Sequence, residues 1–516
     1  MHTINAKTTV ADVLPPNLSA SKYADKQASH ELLATSALTA LATVMGTAAL
    51  VGIHHRYRKQ RQPDASLQDY VAGVCAQLHL LPSATKMQLT RLRSASRQAA
   101  FTWQQAYHDF MQCDDNDTAD FSDVHTTTMI ARSVCWVSGV ASMPKNIALA
   151  NDNSSDENGF GVVGIDADRQ IVWQTTMPER VHDIIVQPVF NPQNTAANHN
   201  QNRDVVVMGR RPSEKFWVLE TATGQVKKAI EASINRHFYG HACYSLDGNL
   251  LYVTENDTVS LDGKIGIYDA YDNYKKVAEF DSYGIGPHEL IMHPDGDTLV
   301  IANGGIKTEQ ASREELNLDT MRPSLVYLNR HDGALLEQIT PEHNQMSVRH
   351  LAIHDDGTVM IGIQFQGEKH MNVPLVLTHK RGEPDFKPLI MPNNQWQRFH
   401  HYIASVAVDS EHDLLCVTTP IGGCAAIYDL NTRELIGDVN LPDCAGASVC
   451  FKQNNSKADN YEEKSGFIVS DGQGQLTTLR VHHSIAIELA LMDKSEHILR
   501  DSKRHMMSFD NHLQAL

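Results

Sequence analysis

Residues 239–280, YGHACYSLDGNLLYVTENDTVSLDGKIGIYDAYDNYKKVAEF, contain one complete structural repeat. Four short runs rich in β-branched and aromatic residues alternate with turn residues, which is typical of four antiparallel strands. The same order recurs along the chain with a period on the order of 40–60 residues, which indicates a β-propeller. Since the β-rich region has space for about seven such units, we predict an all-β, seven-bladed β-propeller at 134–516 and expect the C-terminal tail to close the first blade.

A histidine recurs at one place in this repeat, at the predicted start of the innermost strand. The strings RVHDIIV, YGHACYS, GPHELIM and VRHLAIH contain His182, His241, His288 and His350. A residue type at one place in a repeat comes to one place in space when the repeats surround an axis. Neutral imidazole is the commonest ligand of transition metals. We therefore predict an axial, His-rich metal site that suits Fe, Cu or Zn.

Further polar residues are expected at the same mouth of the propeller, because the second strand of each blade ends on the face where the first begins. The predicted ligand-binding set comprises Arg210, Arg211, Glu255, Asn256, Asp257, Glu289, Asn303, Arg313, Arg349 and Gln364. Adjacent guanidiniums suit a carboxylate or a phosphate. The structural alternative is that these residues, like the histidines, only hold neighbouring blades together. His237 and His293 lie off the repeated position and are interpreted as structural.

The N-terminal part of the chain, residues 1–130, does not show the repeated strand pattern. We predict a disordered leader at 1–31, which is polar and aperiodic. Residues 32–53 contain no charged residue, so we predict a candidate transmembrane helix, with an Ala-rich soluble helix as the alternative. A helical segment followed by an acidic linker is expected at 62–130. The basic stretch after the apolar run favours a cytoplasmic location for that side.

Composition narrows the function classes. The formal net charge is -17 and the repeat region has no basic stripe, so we expect no nucleic-acid partner. The eight cysteines form no CxxC pair, which excludes a zinc knuckle or a thioredoxin motif. Buried free thiols are favoured over the disulfide alternatives Cys416–Cys424 and Cys444–Cys450. The chain also contains no GxSxG or P-loop signature.

Several long motifs resemble those of the bacterial propeller family known as domain of unknown function 1513. They include NRHFYGH (235–241), GIGPHEL (284–290), REELNLDTMRPSLVYL (313–328), SVRHLAIH (347–354) and DNHL (510–513). The resemblance covers about 134–516 and implies a seven-bladed propeller of the YVTN/quinoprotein type. It also implies export to the periplasm, with imelysin-like or di-haem proteins of an iron-uptake operon as partners. This chain departs from the family pattern because it has no twin arginine before its apolar run. A periplasmic propeller, with residues 32–53 as a candidate inner-membrane anchor, fits the family, whereas a propeller that faces the cytoplasm fits the charges; we expect the periplasmic arrangement.

Three function classes are open at this point. The favoured hypothesis is a protein that binds a metal or a small ligand in iron or copper uptake or in redox chemistry. The second is a propeller enzyme, either a lactonase-like hydrolase that holds a metal with Glu255, Asn256, Asp257, Glu289 and Asn303, or a quinone-type dehydrogenase. The third is a scaffold that docks a partner protein. Because propellers host all three classes, the fold alone does not decide between them.

Overall fold

The structure is a computed structural model, and it describes residues 125–143, 159–188, 203–211, 213–308, 315–450, 466–481 and 498–516. All of these residues belong to one compact unit, Thr118–Leu516. The predicted leader, the candidate transmembrane helix at 32–53 and residues 62–124 of the predicted helical segment lie outside the described residues. Within the described ranges, no helix is long and apolar enough to cross a membrane.

Seven antiparallel sheets form the blades, which confirms the predicted seven-bladed propeller. Blade 1 contains β1 (Thr126–Thr128), β2 (Trp136–Ser142), β3 (Phe160–Ile165), β4 (Ile171–Met177) and the C-terminal strand β29 (Ser508–Ala515). Blade 2 contains β5 (Val181–Val186), β6 (Asp204–Gly209), β7 (Lys215–Glu220) and β8 (Val226–Glu231). Blade 3 contains β9 (Arg236–Tyr244), β10 (Leu250–Asp257), β11 (Gly263–Asp269) and β12 (Lys275–Asp281).

The remaining blades follow the same order from the axis outward. Blade 4 contains β13 (Pro287–Met292), β14 (Thr298–Asn303), β15 (Ser324–Asn329) and β16 (Leu335–Ile339). Blade 5 contains β17 (Met346–Ile353), β18 (Thr358–Phe365), β19 (Val376–Lys380) and β20 (Lys387–Pro388). Blade 6 contains β21 (Ser405–Asp409), β22 (Leu414–Thr419), β23 (Cys424–Asp429) and β24 (Leu435–Asn440). Blade 7 contains β25 (Cys444–Val449), β26 (Gly466–Asp471), β27 (Gln475–Val481) and β28 (Ile498–Arg504). Short 3-10 turns lie at Leu318–Thr320, Pro392–Asn394 and Trp396–Phe399.

The innermost strands close a complete ring. In order they are β29, β5, β9, β13, β17, β21 and β25, and β25 contacts β29 again. The ring closes because the C-terminal strand β29 pairs antiparallel with β2, with Trp136 opposite Ala515. This pairing completes blade 1 with the C-terminal tail, as expected from the sequence. It gives blade 1 its innermost strand and covers the edge of β2 that would otherwise be unpaired.

Burial in each blade follows its distance from the axis. The second strands are covered on both faces by neighbouring blades, so a strand such as β14 is buried along its whole length. The outermost strands face solvent, and β12 is largely exposed. Asp-Gly turns join the first two strands of three blades, where Gly248, Gly296 and Gly357 have φ values of 71°, 73° and 86°. Glycine suits these turns because it adopts positive φ without steric cost.

Two sequence-based expectations are refined by the structure. His182 and His288 lie at the second residue of β5 and β13, close to the predicted strand start, whereas β9 starts at Arg236 and β17 at Met346, so His241 and His350 lie inside their strands. The apolar run in the sequence predicts where the hydrophobic part of a strand begins, but the backbone hydrogen bonds of β9 and β17 begin several residues earlier. The described cysteines are free, as the thiol interpretation predicts, and they are Cys135, Cys243, Cys416, Cys424, Cys444 and Cys450.

Candidate metal centre

Each innermost strand that carries a repeated histidine departs from regular pairing at that histidine. The register of pairing with the second strand shifts between Val181 and Ile184 in β5, between Pro287 and Glu289 in β13 and between Val348 and His350 in β17. In β9 the register shifts opposite Thr254 of the second strand. β29 shows the same irregularity opposite Gly139, beside a further histidine, His512. A β-bulge re-aims a side chain and is common next to functional sites. The bulges thus turn these imidazoles toward the propeller axis.

Five imidazoles meet at the axis. The structure brings the four predicted histidines together and adds His512 from the C-terminal strand. The ring centroid of His241 lies 4.6 Å from that of His182, 4.7 Å from that of His288, 5.0 Å from that of His512 and 5.9 Å from that of His350. The rings of His288 and His350 are 4.8 Å apart. These distances place all five rings in one compact cluster.

Two groups within this cluster have the spacing that a metal ion needs. In each group, one ligand atom per residue can be chosen so that all of the atoms lie within 4.8 Å of one another. The groups are His241, His288, Glu289 and His350, and His182, His241 and His512. His241 belongs to both, so the two groups form one continuous centre.

Two carboxylates orient the imidazoles. Asp183 Oδ2 lies 3.1 Å from His241 Nδ1, and Asp183 Oδ1 lies 3.5 Å from His512 Nδ1. Glu289 Oε2 lies 3.0 Å from His350 Nδ1. The opposite ring nitrogens, Nε2 of His241 and of His512, are buried and have no hydrogen-bond partner among the described residues, and neither does Nδ1 of His288. A carboxylate on one ring nitrogen and no protein partner on the other is the arrangement of metal-binding histidines.

Most of the cluster is neutral. Burial lowers the pKa of His182, His288 and His350 well below the ordinary value, and the neighbouring positive charges lower it further. Burial also lowers the pKa of His512 to about 3. A neutral imidazole keeps the lone pair that a metal ion requires. At pH 7 these four side chains are therefore in the form that binds metals.

His241 and Glu289 behave differently. Burial lowers the pKa of His241, but Asp183 raises it by more, so the net pKa is raised. Burial raises the pKa of the Glu289 carboxyl to about 8. Glu289 thus carries a proton at pH 7, and a cation bound beside it would favour the release of that proton.

A cavity of about 320 Å³ adjoins the cluster. All seven innermost strands line it, mostly with residues that follow the histidines along the chain. Asp183, Glu289, His350 and His512 supply most of its polar lining. The sequence assigned only structural turns to this side of the propeller. The cavity shows instead that the cluster also borders open space toward the face of the Asp-Gly turns.

The predicted arginines lie on the other side of the cluster, where the innermost strands begin. Arg349 directly precedes His350, and its Nε donates a hydrogen bond to Ser347 Oγ at 2.9 Å. The Arg211 guanidinium carbon lies 4.4 Å from the ring centroid of Tyr239. Gln364 lies opposite Ser347 in the neighbouring strand. The pKa of His182 is lowered most by burial, next by His241 and His512, and then by the nearby charge of Arg210.

Other predicted ligand residues are used elsewhere. Glu255 is fully buried and accepts hydrogen bonds from Tyr268 Oη at 2.7 Å and from Lys276 Nζ at 2.6 Å. Asp257 pairs with Arg236 at 2.8 Å. These partners lie within blade 3, because alternation along β10 turns both carboxylates toward its strand neighbours and away from the axis.

The two predicted asparagine ligands are also buried in structural contacts. Asn256 Nδ2 donates to the backbone oxygen of Asp257, and Asn303 Nδ2 donates to the backbone oxygen of Ser282 at 2.9 Å. The structure therefore does not bring either one to the histidine cluster. Arg313 lies outside the described residues. His293 accepts a hydrogen bond from the Asp295 backbone N–H, which agrees with its structural interpretation.

Sequence reasoning missed His512 and Asp183 as site residues. His512 occupies the same place in its innermost strand as the other histidines, but β29 is separated from the rest of blade 1 by most of the chain. No second strand follows β29 in the sequence, so the repeat pattern did not identify His512 as an equivalent of the other four histidines. The available signals were the DNHL motif (510–513) and the position of Asp183 directly after His182.

The family model for the proteins of unknown function DUF1513 matches residues 176–516, which is more than half of the chain. The chain belongs to the DUF1513 family. No curated protein matches it. Among solved structures it is similar to Kuenenia stuttgartiensis hydrazine synthase, with a TM-score of 0.44 and 14% identity over 68% of this chain and 92% of that chain. It is also similar to a chain of a mitotic checkpoint complex, with a TM-score of 0.40 and 13% identity over 61% and 84% of the two chains. Neither likeness carries a functional argument.

Proposed function

We propose that this DUF1513 protein binds a first-row transition metal ion at the propeller axis. The ligands come from the five clustered histidines His182, His241, His288, His350 and His512, with Glu289 as an oxygen donor. The observation that carries the proposal is a set of buried ring nitrogens with no hydrogen-bond partner among the described residues: Nε2 of His241 and of His512, whose other nitrogens face the Asp183 carboxylate, and Nδ1 of His288. Leaving such nitrogens unbonded in the interior is unfavourable unless a ligand completes them.

The donor set favours iron, copper or zinc. Imidazole suits all three, whereas magnesium and calcium prefer oxygen ligands. Cys243 is the cysteine that lines the adjoining cavity, and burial raises the pKa of its thiol. Cys243 belongs to neither group of candidate ligands, so the centre depends on nitrogen and carboxylate donors.

The biological setting is also a proposal. We infer that the protein works in bacterial iron or copper uptake or in redox chemistry, on the periplasmic side of the inner membrane, with an imelysin-like or di-haem partner. Its support is the resemblance of its motifs to the exported members of the family. Fractionation of the native host into periplasm, membrane and cytoplasm, followed by immunodetection, tests the location. Recovery in the cytoplasmic fraction alone would exclude this setting.

The alternative of a lactonase-like enzyme finds less support. It requires Glu255, Asn256, Asp257 and Asn303 around one ion, and these four residues bond within or between blades 3 and 4. A quinone-type dehydrogenase and a docking scaffold have no specific contact in their favour. Metal binding at the axis is the function to test first.

Elemental analysis of the full-length protein provides this test. The parent, expressed in metal-replete medium, should contain close to one equivalent of Fe, Cu or Zn, and the His241→Ala/His288→Ala double variant should contain almost none. The matched control is His331→Ala/His370→Ala, since both of these side chains are more than half exposed. It should retain the parent's metal content, and circular dichroism should show that all three proteins are folded. A parent that stays metal-free after separate incubation with Fe(II), Cu(II) and Zn(II) would overturn the proposal.

A further inference from the structure

Three arginines form a positively charged mouth over the histidine cluster. We call Arg210, Arg211 and Arg349, together with Tyr239 and Tyr402, the arginine mouth. The Arg211 guanidinium stacks on Tyr239, and the Tyr239 hydroxyl lies 2.8 Å from the position that a Cβ on Gly286 would occupy. Arg349 Nε lies 3.5 Å from the Cβ position of Gly304, the residue whose N–H donates to the Gly286 carbonyl oxygen. The two side chains thus approach the same short segment of backbone.

Two of these arginines, Arg210 and Arg349, are not paired with a carboxylate of the described residues. Within the described part of the chain, neither Arg210 nor Arg349 has an ion pair shorter than 4.0 Å. The nearby Asp510 is occupied by Arg180, whose Nε and second terminal nitrogen donate to it at 2.6 Å and 2.8 Å.

The side chains of Arg210 and Arg349 are both only partly exposed to solvent. A protein with a net charge of -17 has therefore placed several partly desolvated cations at one point. Such a concentration of like charge is unfavourable in the absence of an anion.

A neutral hydrogen-bonding group adjoins the arginines. His237 is 1% exposed, and neither of its ring nitrogens has a hydrogen-bond partner among the described residues. Its ring is stacked beside that of Tyr239, with centroids 6.2 Å apart. The sequence interpretation of His237 as structural does not explain two unbonded nitrogens in the interior, whereas a polar ligand would.

We propose that the arginine mouth binds a small oxyanion that carries carboxylate or phosphate groups. Guanidiniums present paired N–H donors that match the two oxygens of such groups, and the tyrosine hydroxyls and His237 can add single hydrogen bonds. The anion site stands without a metal. Its further role rests on the proposed function: the anion offsets repulsion between Arg349, which is next to His350, and a cation at the cluster, so metal and anion bind cooperatively.

Isothermal titration calorimetry of the full-length, metal-free protein with citrate, and separately with inorganic phosphate, tests the anion site. At least one of the two should bind, and Arg349→Gln and Arg210→Gln should each weaken its binding by tenfold or more. Arg349→Lys should weaken it less, because it retains the charge but loses the paired donors. The control, Arg500→Gln, makes the same charge change on the exposed outermost strand β28 and should leave the affinity unchanged. Preference for citrate or phosphate identifies the class of anion.

The two proposals fail in different ways. If neither anion binds, or if Arg349→Gln and Arg210→Gln fold and bind within twofold of the parent, the arginine mouth is not an anion site, whatever the metal content. The His241→Ala/His288→Ala variant should still bind the anion, although it has lost the metal. Cooperativity is measured by repeating the titration with metal-loaded protein, where the anion should bind at least fivefold more tightly. Equal affinity with and without metal would overturn the cooperative role.

Discussion

The seven innermost strands divide into two sets that fill the same position differently. Five consecutive strands, β29, β5, β9, β13 and β17, each place a histidine at a bulge facing the axis. The other two, β21 and β25, place small residues there instead. Ser405 Oγ accepts a hydrogen bond from the Ala447 N–H, and Thr418 Oγ1 donates to the Ala445 carbonyl oxygen, so hydroxyl groups complete the backbone hydrogen bonding of these blades.

This difference shows that the fold does not need an axial histidine. Blades 6 and 7 pack and close with serine, alanine and glycine at the axis, and a bulge also occurs in β25 without any histidine beside it. Packing accounts for bulges and for buried hydroxyls, but not for five adjoining imidazoles, three of which have a buried ring nitrogen without a partner among the described residues. This contrast supports the proposed ligand role of the histidine-bearing strands.

The largest expected difference is a pH dependence of stability that arises mainly from the axial histidines, with contributions of the same sign from His237 and His505. His182, His288, His350 and His512 are neutral in the folded protein, whereas histidines in the unfolded chain take up protons below pH 6.5. Unfolding therefore takes up protons, and the metal-free protein loses stability as the pH falls through 6.5. Glu289, with its raised pKa, and the paired His241 act in the opposite direction. The net uptake by the cluster rises from below one proton at pH 6.5 toward about three protons near pH 5.5, where the predicted loss approaches about 4 kcal/mol per pH unit.

Urea unfolding of the metal-free protein at pH 7.5, 6.5 and 5.5 measures this slope. His288→Gln should reduce it by about 1.4 kcal/mol per pH unit, since one neutral histidine is removed. His331→Gln, which changes an exposed histidine outside the cluster, should leave it unchanged. The groups that face the cluster are Asp183, Glu289, Arg349 and Arg210. If the change in unfolding free energy between pH 6.5 and 5.5 corresponds to an uptake of less than one proton, the histidines are already protonated in the folded protein. The proposal that they bind a metal as neutral imidazoles would then be wrong.

The next largest expected difference is in the stability cost of replacing Gly240, at the bulge of β9, and Gly446, at the bulge of β25, by alanine. Gly240 in β9 has φ of 111°, and a Cβ there would lie 2.4 Å from Cδ2 of the confined His182 ring. Gly240→Ala should therefore cost about 3 kcal/mol through strain and overpacking together. Gly446 in β25 does not have a positive φ, and its Cβ would meet the rotatable Ser470 hydroxyl at 2.6 Å and Leu513 at 3.1 Å. Gly446→Ala should cost about 1 kcal/mol.

Thermal and urea unfolding of both variants provides the comparison. Gly382→Ala serves as the strain control, because Gly382 has φ of 91° and no atom within 4 Å of its Cβ position. Its cost should be about 1 kcal/mol. If Gly240→Ala costs no more than Gly382→Ala, the His182 ring is free to move, and the cluster is looser than its ring distances indicate.

The sequence predicted the propeller because blades repeat: four strands, Asp-Gly turns and a histidine at a constant place are all local patterns. It also predicted that His182, His241, His288 and His350 would lie together. It did not predict which way Glu255 and Asn303 face, since that depends on the register of each second strand. It could not place His512 in the cluster, because closure by the C-terminal strand is a long-range pairing. The bulges that aim the imidazoles likewise leave no clear local signal.

A smaller effect is expected from the carboxylate that holds two of the histidines. Asp183→Asn removes the charge beside His241 and His512 but retains the size of the side chain. Loss of such a carboxylate typically weakens metal binding by about 10–100-fold. Competition with a chelator of known affinity measures the change, and the exposed Asp297→Asn provides a control. Unchanged affinity would mean that His241 and His512 do not bind the metal through Nε2.

The smallest expected effect lies in the strands without histidines. Ser405→Ala removes the acceptor of the Ala447 N–H, which should cost about 1 kcal/mol of stability, since that donor borders the cavity. Metal content and affinity should stay at the parent's values, because Ser405 belongs to neither group of candidate ligands. Urea unfolding and elemental analysis on the same preparation measure both quantities. A loss of metal in Ser405→Ala would show that the blades without histidines help to form the centre, and the division of the ring into two sets would then describe sequence, not function.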